Sequence, residues 1–499
     1  MSKISYHNFT FPFQWCIKET EKKTLSEQIN LDKIQFNESA DWRHATTAIL
    51  PEDKNVLYDE KNYFYKFIHD ALYDTDSKTK KSLMRHFERL IPEEYKNDAK
   101  YTITVKRGDE VRSYELTVAA INLNLYSTGV GVLSFYLYNE KYPNLEDILT
   151  INQKGRRIFP PYIKSVEDRK VIAESITIEI TNSSRVTKQY KEDFIDYKND
   201  SESNTLAKFI EQLIHEVASN VKLEPVVDDR MFVQCWYKND EWTSQFKEYG
   251  FNNFINSDEW YEFVFVDELN EISCLNRDMQ RQLIEKATYK RWQLHGSLVG
   301  ICRNAFVYLT NNTCPQNFLT TFESMYARMA ELIIIQKASV LRFSVEIANI
   351  NRQKEKYFSE KVNSLYKEYI RFVNQFHFRE ITAQTPGIEI YQMLYDAFGI
   401  DVQVNKLHDE IEELHNYATL QEENKTNSTM TVLTRWTTIL LPITVVAGIF
   451  GMNNVASNGE NKGELHDWWN SIELQFAIIL AATAITILLL FYLNRTGKK

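Results

Sequence analysis

Glycine and proline are scarce in this sequence, 14 and 10 among 499 residues, which argues against long disordered or low-complexity tracts. Cysteine is scarcer. Cys16, Cys235, Cys274, Cys302 and Cys314 are odd in number, scattered and without metal-ligand spacing. They read as reduced core thiols of a cytosolic domain rather than as a disulfide framework. Positive charge is short as well: 58 basic side chains against 68 acidic ones leave −10, so direct nucleic-acid binding is not expected. Gly-x-Ser-x-Gly, His-Glu-x-x-His and a phosphate-binding glycine loop are all missing, and no enzyme is expected. Met1–Thr20 has no uninterrupted apolar run, so insertion into a membrane would have to rely on segments elsewhere.

Such segments lie at the far end of the chain. From Leu433 to Phe450 every residue except Arg435 is apolar or hydroxylated. As a helix this run would extend roughly 27 Å, close to the ~30 Å of a hydrocarbon core. A second run, Ile472–Leu493, carries no ionised side chain after Glu473. Two spans make this an integral membrane protein of the cell's inner (plasma) membrane. The intervening loop holds Glu460, Glu464 and Asp467 against Lys462, whereas the tail carries Arg495, Lys498 and Lys499. Basic flanks stay inside, so both termini are expected in the cytoplasm and the loop outside. Arg435 is placed to snorkel to the inner interface, and Trp468, Trp469 and Tyr492 suit an aromatic belt.

Before the spans the pattern is mixed. A helix is expected over Asp59–Leu90. An antiparallel meander is expected at Tyr101–Val105, Tyr114–Leu125 and Val132–Tyr138, and further strands at Ser175–Ile180, Met231–Tyr237, Trp260–Val266 and Leu298–Leu309. A helix is expected over Thr205–Val217, with loops at Asn182–Asn204 and Lys238–Asp258. This is an α+β cytosolic domain, 1–312. Long helices are expected over 313–384, then one stalk helix over 385–450 that continues into the first span. Its start is marked by Thr385 before Pro386, and Gly399 is a candidate bend. An external loop, 451–471, the second span, 472–493, and a basic tail, 494–499, complete the layout. Val404, Leu407, Ile411, Leu414 and Ala418 repeat by three and four, which implies association with other copies.

Met430, Leu433, Thr437, Leu441, Thr444 and Gly448 share one helical stripe. Facing a symmetry axis it alternates apolar rings, which gate by dewetting, with hydroxyl rings that touch a hydrated ion. The same spacing also suits plain helix-to-helix packing. Met430, Val432-Leu433-Thr434, Pro442, Thr444 and Ala447-Gly448-Ile449-Phe450-Gly451-Met452-Asn453, in that order, resemble the CorA family of divalent-cation channels. That family's signature is the Gly-Met-Asn tripeptide at the outer end of the first of two C-terminal membrane helices. The specific likeness covers about residues 424–453, and the helical layout extends it back to about 315. The resemblance implies a homopentamer in a lipid bilayer with Mg²⁺ or a related divalent cation as cargo or regulator. It makes Gly451, Met452 and Asn453 the ion mouth and selectivity element, Asn453 holding a hydrated cation, and puts the pore lining on the stripe just named.

One departure bears on selectivity for Mg²⁺. CorA relatives follow the tripeptide with an aromatic residue and a short acidic segment, whereas Asn454-Val-Ala-Ser-Asn-Gly follows here. Asp409, Glu410, Glu412, Glu413, Glu422 and Glu423 either bind Mg²⁺ between subunits or form a solvated face, and His408 and His415 read as surface residues. Two functions compete: housekeeping Mg²⁺/Co²⁺ transport gated by intracellular Mg²⁺, and a ligand-gated effector like the CorA-like proteins of type III CRISPR antiviral defence, where a nucleotide messenger is the signal. The large region before the helices favours the second. For an adenine-nucleotide messenger the candidates are Arg156 and Arg157 in a basic turn at Gln153–Arg157, and Arg291, Trp292 and Arg303 as a second cluster, with guanidiniums for phosphate and Trp292 for stacking. Solvated surface and core are the competing readings of these two groups.

Overall fold

The computed structural model describes residues 3–18, 23–37, 41–45, 60–74, 82–107, 109–158, 172–194, 206–227, 230–248, 253–351 and 357–455, with isolated positions beyond. It divides into two compact units, Met1–Glu412 and Glu413–Lys499. The first is built on one 13-stranded sheet. Its strands are β1 (Ser5–Ile17), β2 (Trp42–His44), β3 (Met84–Arg89), β4 (Lys100–Arg107), β5 (Glu110–Tyr126), β6 (Val130–Asn139) and β7 (Ser175–Thr181). The others are β8 (Thr187–Asp193), β9 (Val221–Pro225), β10 (Phe232–Lys238), β11 (Thr288–Tyr289), β12 (Leu298–Ile301) and β13 (Ala305–Thr310). Along the main path the order is β11-β12-β13-β10-β1-β6-β5-β4-β7-β8. Every pairing is antiparallel except that of β10 with β13.

β1 sits near the middle, between β6 and β10, and its second half also pairs β9. It is covered on both faces. On one, His7 bonds Asn152 and Phe9 packs 5.9 Å from Tyr101. On the other, Tyr6 meets Phe322 edge-on, and Asn8 bonds Gln234, whose amide donates to the Phe322 carbonyl. Ser5 to Phe13 are consequently all buried. Phe9, Phe11, Phe13 and Trp15 alternate in sequence with Asn8, Thr10, Pro12 and Gln14, and the polar face is closed by contacts such as Asn8 to Gln234 rather than by water.

The helices used below are α1 (Leu145–Gly155), α2 (Lys208–Val217), α3 (Asp240–Glu248), α4 (Asp258–Phe265), α5 (Arg277–Ala287), α6 (Ala327–Asn351), α7 (Phe358–Gln375), α8 (Thr385–Phe398) and α9 (Ile400–Val455). α1 and α2 pack on the His7/Phe9 face, where Phe209 of α2 lies 6.0 Å from Phe135 of β6. α6 takes the opposite face and is led by Gln316–Thr321 and a π turn, Phe322–Tyr326. Arg328 of α6 bonds Glu331 at 2.8 Å and reaches Glu60 at 3.4 Å. Glu331 accepts from Tyr126 at 2.7 Å and from Asn124, which also bonds His86. All these side chains except Glu60 are buried, so the cluster pins α6 and the short helix Glu60–Tyr63 to β3 and β5.

Four expectations are corrected. Asp59–Leu90 is no single helix: short helical turns are followed by β3, which pairs β5, and buried Asp74 accepts from Ser82 and the His86 amide. Trp260–Val266 is helical, because Ser257 caps the Trp260 amide and Val266 ends the helix at φ 61°. Leu298–Leu309 is a hairpin, β12 and β13, rather than one strand. The expected loops Asn182–Asn204 and Lys238–Asp258 contain β8 and α3. The meander is as expected in β4, β5 and β6, each extended by one to a few residues.

Nor is 385–450 one helix. α8 ends at Gly399, whose φ of 61° lets its amide bond back to the Tyr395 and Asp396 carbonyls, and α9 begins directly after it. A Cβ there would meet nothing closer than Gln403 at 3.7 Å, so the requirement is backbone and not space. Gly399→Ala should therefore cost about 1–2 kcal/mol in denaturant unfolding, and Gly399→Asn less, because asparagine tolerates the left-handed region. An alanine variant as stable as the parent would refute the requirement.

His7 and His86 carry a pH signature. Burial lowers both from 6.5 to about 4, against an Asn152 hydrogen bond in the first case and reinforced by Arg328 in the second. Between these values the unfolded chain binds protons that the folded one refuses. Stability from this source is complete above about pH 6.5 and is lost as pH falls toward 4, by about 3 kcal/mol per histidine. Replacing both with glutamine should flatten that part of the unfolding profile; an unchanged slope would count against it.

Candidate pore helix and cavities of the sheet domain

α9 is a helix of 56 residues that runs through Pro442 without a break. Met430, Leu433, Leu441 and Trp436 on it are 58–62% exposed in the single chain, a run of uncovered apolar side chains that demands lipid or other copies. The hydroxyl positions are oriented by their own backbone. Thr437 donates to the Leu433 carbonyl at 2.7 Å, and Thr444 contacts the carbonyls of Leu440 and Leu441 at 3.0 and 2.9 Å. A hydroxyl whose proton is spent on the helix presents lone pairs to whatever stands beside it, which suits a cation or its hydration water. Gly448 lies on the same helix, and among the described residues nothing stands within 4 Å of where its Cβ would be.

Gly451, Met452 and Asn453 fall within the last turns of α9, and their side chains lie outside the described residues. The same holds for Ile443, Val445, Ala447, Ile449 and Phe450 of the first expected span, and for nearly all of 472–493 and the loop 456–471. Among the described residues, no helix is long and apolar enough to cross a membrane. Nor do any three His, Cys, Asp or Glu side chains there stand together as metal ligands. Glu410 pairs with Lys406 and Glu412 with His408, on either side of the buried Val404, Leu407 and Ile411.

The five ligand candidates divide between two places. Gln153–Arg157 is no solvated turn but the end of α1, with Arg156 and Arg157 only 2% and 3% exposed. Arg156 bonds Gln153 at 2.7 Å, and buried Lys154 pairs with Glu268. Gly155 is required by packing, since a Cβ would stand 2.6 Å from Ile103 and 2.9 Å from Phe9. Arg156 and Arg303, far apart in sequence, line one cavity with Arg230 beneath Phe398, but its volume of about 20 Å³ admits about one water. Lys337 is near enough for Arg303 to add to the burial that lowers its pKa to about 8.

Arg291 is held by Glu389 at 2.7 Å. Trp292 packs against Tyr289 and Phe318 beside a separate cavity of about 280 Å³ lined by no charged side chain. The stacking ring and the arginines are thus not brought together. Sequence reasoning missed a third cavity altogether, walled by β1, β9, α6 and α7; its lysines and arginine come from four distant segments with no local motif.

Residues 345–495 match the family described as CorA-like Mg²⁺ transporter protein. The chain carries a CorA-like C-terminal region. That region takes in the end of α6, all of α7, α8 and α9, and the Gly-Met-Asn tripeptide. No curated protein matches the chain. Among solved structures, the CorA magnesium transporter from Methanocaldococcus jannaschii is 15% identical, covering 53% of this chain and 93% of its own, with a TM-score of 0.18. At that score the superposition carries no argument. The CorA-like assignment therefore rests on the sequence of 345–495.

Proposed function

We propose that this chain is one subunit of an oligomeric divalent-cation channel, a pentamer by the CorA resemblance, with Mg²⁺ or a related ion as cargo. The carrying observation is α9, a helix inside the CorA-like region whose apolar positions are uncovered and whose threonines are back-bonded to carbonyls. In this reading Met430, Leu433 and Leu441 form constrictions, Thr437 and Thr444 offer oxygen to hydration water, and Asn453 captures the ion with its shell. Both termini lie in the cytoplasm. The sheet domain before the helices gates the pore on binding a ligand, and a phosphorylated messenger of the kind used in type III CRISPR defence is the class that suits it.

Reconstitution in proteoliposomes loaded with a Mg²⁺ indicator tests this. Wild-type protein should conduct, and Leu441→Ala should raise basal flux several-fold by widening an apolar ring. Absence of flux under every condition would sink the channel. Full flux that no ligand alters would leave a housekeeping transporter.

A further inference from the structure

A cavity of about 400 Å³ opens between β1, β9, the helix Leu25–Gln28, α6 and α7. Lys23, Lys222, Arg342 and Lys361 line it, against Glu224 and Glu346, an excess of positive charge in a chain of net charge −10. Glu224 is engaged by Gln14 at 2.6 Å and Lys222 at 3.2 Å. At the floor Arg342 is 2% exposed. It donates to the carbonyls of Trp15 and Gly129, yet among the described residues its Nε has no hydrogen-bond partner. Among the described residues its ion-pair contact is Glu346, at a distant 4.0 Å.

Burial pushes the Arg342 pKa down and the Glu346 carboxyl up, Arg342 and Lys361 opposing the latter shift. A buried guanidinium so weakly neutralised is costly unless an anion stands beside it. The fold nevertheless makes room for it: Gly129 adopts φ 75°, and a Cβ there would fall 2.1 Å from Arg342 Nη1.

We propose that this cavity binds a phosphorylated small molecule, its phosphate oxygens meeting Arg342 and the lysine ammoniums; the idea rests on the ligand-gating reading above. The size falls within the ~300–1,000 Å³ of small-molecule sites. A planar guanidinium below and mobile point charges above suit phosphate oxygens. The walls also explain how occupancy reaches the pore helix. α6 and α7 hold the first turns of α9, Lys337 through Gln403, and Tyr369 through the Val404 carbonyl at 3.5 Å and the His408 ring.

Full-length protein in detergent should be titrated calorimetrically with pyrophosphate, ADP and adenosine at low and high salt. Pyrophosphate and ADP should bind, adenosine far more weakly, and affinity should fall several-fold as salt rises. Lys222→Ala with Lys361→Ala should weaken both by about tenfold, and Arg342→Lys by a similar factor, since each removes a charge-assisted hydrogen bond. If Arg342→Lys does not fold, the lysine pair decides. Wild-type protein that binds neither probe, or a lysine-pair variant that binds like wild type, overturns the site; equal binding of adenosine and ADP overturns the phosphate. Mg²⁺ flux in the same preparation separates the two ideas. Binding without any change in flux removes gating and leaves the site, whereas gating indifferent to the lysine pair removes the site and leaves gating.

Discussion

Asn453→Ala should reduce divalent-cation flux through the reconstituted protein by tenfold or more while leaving assembly intact. Mg²⁺ gives up water reluctantly, so its capture needs neutral acceptors that bond to the hydration shell rather than to the bare ion. Asparagine offers such a carbonyl once per subunit, and in the proposed oligomer a ring of copies would concentrate them at one point. Each hydrogen bond to a charged partner is worth about 1.5–3 kcal/mol, and about 1.4 kcal/mol is a factor of ten. Alanine removes every acceptor in the ring at once. Asn453→Asp should keep capture but change the preference among ions, because the ring becomes charged. Mg²⁺, Ni²⁺ and Co²⁺ fluxes measured side by side, with size-exclusion chromatography for assembly, distinguish these outcomes. Wild-type flux in the alanine variant would dismiss Asn453 as the mouth.

Arg328→Ala should destabilise the sheet domain more than any surface change. Burial alone would lower this guanidinium's pKa, but Glu331 and Glu60 together hold it well above the ordinary arginine value. Removing the cation strands Glu331 with Tyr126 and Asn124 as its remaining donors. Breaking a buried pair from one side costs about 3–5 kcal/mol. Most of that should return when Glu331→Gln is added, since the uncompensated charge is what costs, and a double-mutant cycle isolates the coupling. Urea unfolding followed by tryptophan fluorescence provides the readout. A single variant within about 1 kcal/mol of the parent would mean that water has taken over the carboxylate.

The legible parts of this chain were those whose residue spacing or β-branched and aromatic composition marks the element locally: β6, buried along nearly all its length, was read from its composition. β4 alternates half-buried and buried residues from Lys100 to Val105, β5 alternates buried residues with exposed or half-buried ones from Ser113 to Ala120, and α7 buries Val362, Leu365, Tyr369 and Phe372 on one stripe; these patterns survive in the letters. β1 was overlooked although Phe9, Phe11, Phe13 and Trp15 alternate with Asn8, Thr10, Pro12 and Gln14. α4 was misread because its aromatic run has the composition of a strand, and only the Ser257 cap marks it as a helix. The proposed pore stripe rests on helical periodicity alone. The ligand candidates did not succeed as a group. Arg156 and Arg157 look like a solvated turn in the sequence, yet β10, reached through Met231, and α1 bury them. Arg342 looks like one more charge on a helix until Trp15 and Gly129 are folded beneath it.

The central position of β1 also sets a timetable. Asn8 bonds Gln234 across 226 residues of sequence, and Thr10 contacts Ser134 across 124. At the ~5–20 residues per second of synthesis, a strand of aromatic and β-branched residues waits several seconds for its first partner and longer for its second. Loop-closure entropy disfavours both joins until those partners exist. The nascent chain should therefore depend on a holding chaperone until β10 emerges, and refolding from denaturant should be slow and concentration-sensitive, with the exposed edge of β1 as the nucleus of aggregation.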